Sequence, residues 1–125
     1  MFGLLGFIHL FYTFFTDKFS PRDPRVADAM KGTSLQLTRE TTLWKAWIGF
    51  NASHSLGAIL LAAVYLPLAR SHFAVVQGSV WLSLVPVLFA AGYTFLSFRY
   101  WFSIPLAGSA IGLVCFVVSA WPAVT

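Results

Sequence analysis

Charged side chains are scarce in this 125-residue sequence, where Asp, Glu, Lys and Arg together make up 10% of the residues, against roughly 25% in soluble domains. Apolar residues of the AVILMFWYC set make up 58%, which exceeds the roughly 45–50% of soluble chains. A water-soluble fold of this size could not cover its surface with so few charges. The composition therefore excludes a soluble globular domain and predicts an integral membrane protein.

The sequence has a single cysteine and lacks the short motifs of common catalytic sites. The single Cys115 allows no intramolecular disulfide and no cysteine-based metal site. The sequence contains no phosphate-binding glycine loop, no HExxH and no GxSxG. Ser53 and His54 are neighbours, but adjacent side chains on a helix diverge and do not form a nucleophile–base pair. We predict no catalytic residue and no metal site.

Four apolar segments account for most of the chain. The spans that they predict are 1–17, 44–69, 76–98 and 104–121. A membrane-spanning helix needs about 20 residues, so the first segment is short for a span and the others are long enough. The predicted fold class is all-α, a single-domain transmembrane bundle of four helices.

One long polar stretch, 18–43, separates the first two spans. Asp23 followed by Pro24 is a helix-start signal, and Gly32 can end the same helix. We expect a short helix over Pro24–Lys31 that lies along the membrane surface or caps the bundle. This polar or interfacial segment completes the predicted fold.

The basic residues predict an orientation in the membrane. With four spans, the first and third connections share one side, which carries seven of the eight Lys and Arg residues, whereas the other side carries only Arg70. Cytoplasmic loops are enriched in Lys and Arg. We therefore expect loops 1 and 3 in the cytoplasm and both termini outward. A basic segment beside apolar spans is not the basic face of a nucleic-acid-binding protein, so no nucleic-acid partner is expected.

Two sets of small residues recur at a spacing of four, which lets helices approach closely in lipid. The second span carries Gly49, Ser53 and Gly57, and the fourth carries Gly108 and Gly112. We predict helix packing at these five positions. The contacts would lie within one chain or, alternatively, in a homo-oligomer or a complex with other membrane protein subunits.

A polar stripe faces away from Gly49 on the second span and includes Trp47, Asn51 and His54. The first segment carries its own stripe with His9 and Thr13. Counted from the cytoplasmic ends of the two helices at 1.5 Å per residue, His9 lies about 12 Å deep and His54 about 15 Å deep. Antiparallel packing would therefore bring the two imidazoles to a similar depth. Tyr93 of the third span reaches a comparable level, so a shared polar pocket is the candidate binding site.

Three interpretations of this pocket remain open. In the first, Asn51 and His54 form hydrogen bonds between helices and stabilise the fold. In the second, the pocket holds a lipid-like molecule such as a quinone, a sterol or an acyl chain, since it combines apolar walls with a few polar groups. In the third, His9 and His54 are the axial ligands of a haem. Haem and quinone are therefore the cofactors to consider, and neither is required.

Three phrases of the sequence resemble a family of small bacterial integral membrane proteins with four helices, which is uncharacterised. They are HLFYTFFTDKFSPRDP (His9–Pro24), TRETTLWKAWIGFNASHSLGAI (Thr38–Ile59) and RYWFSIP (Arg99–Pro105). The resemblance covers most of the chain and implies a multi-pass protein of the bacterial inner membrane. It implies no activity, cofactor or catalytic residue.

The function favoured by the sequence is non-enzymatic: an accessory or scaffold subunit of a membrane complex that could also hold a lipid-like molecule. One alternative is a haem- or quinone-binding redox protein that uses His9 and His54. Another is a membrane enzyme acting on a lipid, with His54, Asn51 and Glu40 at its site.

Overall fold

A computed structural model describes residues 1–124 of the chain, and within them the protein is helical and contains no β-strand. The helices of this part of the chain are α1 (Phe2–Phe15), α2 (Pro24–Gly32), α3 (Leu43–Ser71), α4 (Phe73–Gln77), α5 (Val80–Tyr100) and α6 (Ser103–Val124). An isolated antiparallel bridge joins Ser34 and Thr42 in the connection before α3.

Three of these helices, α3, α5 and α6, are long and apolar enough to cross a membrane. They contain 29, 21 and 22 residues. At 1.5 Å per residue, each is at least as long as the hydrocarbon core of a bilayer, which is about 30 Å thick. The apolar helix α1 has 14 residues and is only about 21 Å long.

The short helix predicted over Pro24–Lys31 is present, and its start has a clear physical cause. Helix α2 covers Pro24–Gly32 with Asp23 as its N-cap. The Asp23 Oδ1 atom accepts a hydrogen bond from the backbone N–H of Arg25 at 2.9 Å. This bond satisfies one of the donors that a helix start leaves without an intrahelical partner.

The connection between the second and third predicted spans begins two residues later than predicted and contains a short helix. Helix α3 continues through Pro67 to Ser71, and the short helix α4 follows almost at once. Helix α5 begins at Val80, four residues later than predicted, because the Ser79 hydroxyl accepts a hydrogen bond from the Leu82 N–H and caps it. Helix α6 extends past the predicted end and includes Pro122.

The chain divides into two compact units. The N-terminal unit is Leu4–Ala58, and the C-terminal unit consists of Met1–Gly3 together with the chain from Ile59 onward. The division falls within α1 and within α3, so each unit contains part of both helices.

In the C-terminal unit, α5 and α6 pack directly on each other. The buried residues of these two helices are all small or compact: Ser83, Pro86, Ala90 and Ser97 on α5, and Gly108, Ser109, Gly112 and Ala120 on α6. Small side chains let two helix backbones approach closely, which is the usual basis of helix packing in lipid.

The start of the chain also belongs to the C-terminal unit, where Phe2 is 6% exposed. Its ring stacks on Phe116 with a centroid distance of 6.0 Å and meets Phe89 and Tyr93 edge to face at 5.6 and 5.8 Å. A Cβ atom at Gly112 would lie 2.6 Å from Phe2 Cε2. Glycine is therefore required where α6 passes under this ring.

Burial across the described residues is the reverse of that in a soluble protein. The buried polar residues are Thr13, Asn51, Ser55, Ser83, Ser97 and Ser109, and they are as numerous as the buried apolar ones. Large apolar side chains are exposed instead, including Phe15 at 74%, Phe98 at 75% and Trp81 at 69%. Soluble monomers rarely expose contiguous apolar surface on this scale.

Candidate functional site

A cluster of polar and aromatic side chains lies between α1, the turn that follows it and α3, entirely within the N-terminal unit. We call His9, Phe19, Trp47, Asn51 and His54 the polar cluster. The His9 Nε2 atom lies 3.0 Å from Asn51 Oδ1, and the Asn51 Nδ2 atom donates to the Trp47 carbonyl at 2.8 Å. The Trp47 Nε1–H donates to the Phe19 carbonyl at 3.0 Å. These bonds attach α1 and its following turn to α3.

The amide of Asn51 determines which nitrogen of His9 carries a hydrogen. Because Asn51 Nδ2 donates to a carbonyl, its Oδ1 atom is the acceptor that faces His9. The His9 Nε2 atom must therefore be protonated to donate, and Nδ1 is the unprotonated nitrogen of the neutral ring. Asn51 is 3% exposed, so this bond is shielded from solvent.

The two imidazoles face each other, as their predicted depths suggested. Their ring centroids are 5.4 Å apart and the ring planes are tilted by 54°. The centroid of the Phe19 ring lies 4.3 Å from that of the His9 ring. The Phe50 ring is stacked on His54 with a centroid distance of 6.2 Å. Both histidines are half-buried. The result is an imidazole pair flanked by two phenyl rings.

Two further hydroxyls of the site bond within their own helices. Thr13 Oγ1 donates to the His9 carbonyl at 2.8 Å, and Ser55 Oγ donates to the Asn51 carbonyl at 2.9 Å. Each bond joins residues four apart, a pattern that consumes the hydroxyl hydrogen locally. Thr13 therefore lies beside the predicted pocket, but its hydroxyl hydrogen is already used.

Tyr93, which the sequence grouped with the two histidines, packs in the C-terminal unit. Its ring stacks on Phe89 at a centroid distance of 4.3 Å and meets Phe2 at 5.8 Å. The structure thus brings together His9, Asn51, His54 and Trp47 of the predicted ligand-binding set. It places Tyr93 in a cluster of aromatic rings.

The two predicted small-residue sets have different surroundings. Gly108 and Gly112 are buried in the C-terminal unit. Gly49 and Ser53 are exposed, and Gly57 is half-buried. A Cβ atom at Gly49 would have no neighbouring atom of the described chain within 4 Å. Gly49 and Ser53 therefore leave part of this helix face open.

Sequence reasoning missed Phe19 and Phe50. The Phe19 carbonyl and ring both contact the polar cluster, but the residue lies in an irregular turn, where periodicity gives no information about direction. Phe50 gave no signal in the sequence, and in the structure its ring stacks on His54 although the side chain is 59% exposed.

The arrangement does not resemble a hydrolytic site. The Ser53 hydroxyl donates to the Phe50 carbonyl at 3.0 Å, so it is engaged with its own helix. Among residues 1–124, no group of three or more His, Cys, Asp or Glu side chains could hold a metal ion. The cluster can exchange hydrogen bonds through imidazole and amide groups and can stack a flat ring against Phe19 or Phe50.

No protein-family model, curated protein or solved structure matches this chain.

Proposed function

We propose that this protein is a multi-pass integral membrane protein that acts as a non-enzymatic accessory or scaffold subunit of a membrane complex. In this proposal α3, α5 and α6 span the bilayer, and α1 completes a four-helix transmembrane bundle. The observation that supports insertion is the reversed burial, with phenylalanine and tryptophan rings outside and serine, asparagine and glycine inside. In lipid, exposed apolar rings have no energetic cost, whereas buried polar groups gain from internal hydrogen bonds.

The distribution of basic residues supports the orientation. Seven Lys and Arg residues fall in or beside the connections before α3 and after α5, and Arg70 falls on the other side. The positive-inside rule then places the polar segment with α2 in the cytoplasm and both ends of the chain outside. Together with the resemblance noted from the sequence, this is the topology of a bacterial inner-membrane protein.

The α1 helix is shorter than the bilayer core, and the polar cluster offers a way to keep it inserted. The Phe19 carbonyl and the His9 ring are both held by side chains of α3. A short span costs only fractions of a kcal/mol per Å of mismatch, because the bilayer thins locally. Two hydrogen bonds to a long neighbour are of the right size to offset that cost.

Membrane insertion is tested by extracting membranes that contain the tagged protein with alkaline carbonate. We expect the protein to stay with the membrane pellet and to be released only by detergent. Release into the carbonate supernatant would contradict insertion, and with it the whole proposal.

The scaffold role is supported by the open surface around Gly49 and Ser53, because a subunit needs an unfilled packing face. Replacing Gly49 with Leu should reduce the mass of the native assembly in mild detergent and leave the melting temperature of the purified chain unchanged. The matched control is Ala107→Leu, which enlarges another exposed small residue, on α6. A wild-type protein that is monomeric in mild detergent and in nanodiscs, with no partner attached, would rule out the scaffold role.

A second candidate function is the binding of a quinone-type molecule, favoured by the imidazole pair between Phe19 and Phe50. An imidazole N–H can donate to a quinone carbonyl, and a phenyl ring can stack on the quinone ring. Binding a haem between the two histidines would require a larger rearrangement of the polar cluster. His9 Nε2 would have to leave Asn51, and the two imidazole centroids, which are only 5.4 Å apart, would have to separate.

Gently purified protein distinguishes these ligands from a purely structural cluster. An absorption spectrum and a mass-spectrometric ligand scan are recorded for wild type and for His54→Ala. A Soret band lost in the variant indicates haem, and a bound quinone lost in the variant indicates the second candidate. A colourless, ligand-free wild type would leave His54 as a packing residue.

A further inference from the structure

The C-terminal unit contains an apolar cleft of about 410 Å³ that is separate from the polar cluster. Its walls come from the first turn of α1, from α3 and from α6, and include Phe2, Leu61, Tyr65, Ile111, Gly112 and Cys115. The volume lies within the roughly 300–1,000 Å³ typical of ligand sites.

The walls of this cleft are formed by close contacts rather than by loose packing. A Cβ atom at Gly3 would lie 2.7 Å from Ala62 Cβ, and one at Gly112 would lie 2.6 Å from Phe2 Cε2. Glycine at both positions lets the start of α1 sit tightly between α3 and α6. The Phe2 ring that forms one wall is in turn fixed by Phe89 and Phe116.

The chemistry of the walls favours an apolar ligand. The Tyr65 hydroxyl already donates to the Leu82 carbonyl at 2.9 Å, so it does not offer its hydrogen to the cleft. Water gains little in such a cleft, because the mostly apolar walls offer it few hydrogen-bond partners. An unfilled cleft would also forfeit the dispersion contacts of its walls. The cleft therefore suits an apolar molecule.

The surroundings of the cleft identify that molecule. The rim residues Leu66 and Ile111 are 59% and 53% exposed, and the surface continues along α6 through Val118, which is 68% exposed. On the membrane insertion proposed above, this surface meets lipid tails. We infer that the cleft binds one acyl chain of a bilayer phospholipid. At about 30 Å³ for a group the size of a water molecule, the cleft accommodates about a dozen methylene groups.

The inference is tested with the full chain reconstituted into phosphatidylglycerol vesicles that contain a small share of the same lipid with a diazirine on its acyl chain. After photolysis, labelled residues are located by mass spectrometry. We expect several-fold more label on residues 111–116 of α6 than on its other exposed residues. Uniform labelling along the exposed faces of α3 and α6 would overturn the inference. This experiment uses the wild-type chain alone.

A pair of variants tests the cleft directly. Ile111→Trp should fill it and reduce the label on α6 several-fold, whereas Val118→Trp, two turns along the same face, should leave the label unchanged. Unchanged labelling in Ile111→Trp would overturn the inference. So would an oxidative Cys115 cross-link between two copies in the vesicles, since a second copy would then occupy the cleft.

Flotation of the vesicles separates this inference from the proposed function. Protein that does not float with the vesicles contradicts membrane insertion and the acyl-chain site together. Protein that floats but shows no preferred labelling contradicts the acyl-chain site alone.

Discussion

The α5–α6 pair and the polar cluster are two helix contacts with opposite chemistry. Between α5 and α6 the buried residues are serine, proline, alanine and glycine. The Ser83 hydroxyl donates to the Val76 carbonyl of α4, and the Ser109 hydroxyl donates to the Leu106 carbonyl of its own helix. In the polar cluster, large side chains of α1 and α3 meet and bond across the contact, as in the bond from His9 to Asn51.

Helix length accounts for this difference. Two helices of 21 and 22 residues have room for an extended stripe of small residues, and many weak contacts accumulate along it. A helix of 14 residues has fewer positions to contribute. On the membrane insertion proposed above, lipid provides no hydrophobic drive for helix association, so such a helix would depend more on a few hydrogen bonds. We therefore expect the α5–α6 contact to be sensitive to side-chain volume and the α1–α3 contact to be sensitive to loss of polar atoms.

The largest effect is expected for Gly112→Leu. Its Cβ atom alone would lie 2.6 Å from the buried Phe2 ring, and overpacking of this kind costs about 1–3 kcal/mol. The free energy of unfolding in detergent should fall by that amount. Gly49→Leu is the control, because no atom lies near its Cβ position, and it should change the free energy by less than about 0.5 kcal/mol. Equal losses in both variants would refute the volume argument.

A smaller loss is expected for Asn51→Leu, which keeps the branched shape of the side chain but removes the acceptor of His9 and the donor to Trp47. We expect a cost of about 1–2 kcal/mol, since a buried donor is left unpaired while hydrogen bonds in membrane proteins are individually modest. Ser53→Ala, on the exposed face of the same helix, should have little effect. Unfolding in detergent by denaturant measures both, and a neutral Asn51→Leu variant would show that the cluster contributes no stability.

A local effect is expected for Trp47→Phe, which keeps an aromatic ring and removes the Nε1 donor to the Phe19 carbonyl. The loss should be about 0.5–1.5 kcal/mol for a single hydrogen bond, and it should be confined to the turn after α1. Hydrogen exchange of the backbone amides of residues 16–20 should accelerate, whereas exchange in α5 and α6 should not change. Faster exchange throughout the chain would contradict a local role for the Trp47 hydrogen bond.

The smallest effect concerns the exposed cap of α2. The hydrogen bonds from the Arg25 side chain and backbone hold the pKa of Asp23 below its ordinary value. A lowered carboxyl pKa means that the charged cap stabilises the folded state above the unfolded pKa and that this contribution is lost as the pH falls, below about pH 4. An NMR titration of the Asp23 carboxyl should show the lowered pKa, and Asp23→Asn should remove the pH dependence of α2. An Asp23 pKa at the ordinary value would show that the carboxylate does not accept the capping hydrogen bonds from Arg25.

Much of the helical organisation could be predicted from local signals. Asp23 and Pro24 identified the start of α2, and long apolar runs identified α3, α5 and α6. The helix ends were predicted less accurately, since the last span was expected to end at residue 121 but α6 continues through Pro122 to Val124. Proline is not a dependable sign of a helix end in this chain, since Pro67 and Pro86 also lie inside helices and apolar membrane helices tolerate proline.

Part of the candidate site could also be predicted. Depth counting from the helix ends paired His9 with His54, because helix rise is constant. It could not assign Tyr93 to the rings of Phe2 and Phe89, since depth along a helix does not say which neighbour a residue faces.

The sequence by itself determined that this chain is helical, apolar and poor in charge, because those properties follow from composition and from the length of its apolar runs. It also determined which residues share a face of α3, because helical period relates positions such as Asn51 and Ser55 without reference to the rest of the fold. Only the tertiary structure decided which of those faces is buried. That choice depends on what each face meets: Asn51 finds His9 and becomes buried, whereas Gly49 on another face of the same helix meets open space.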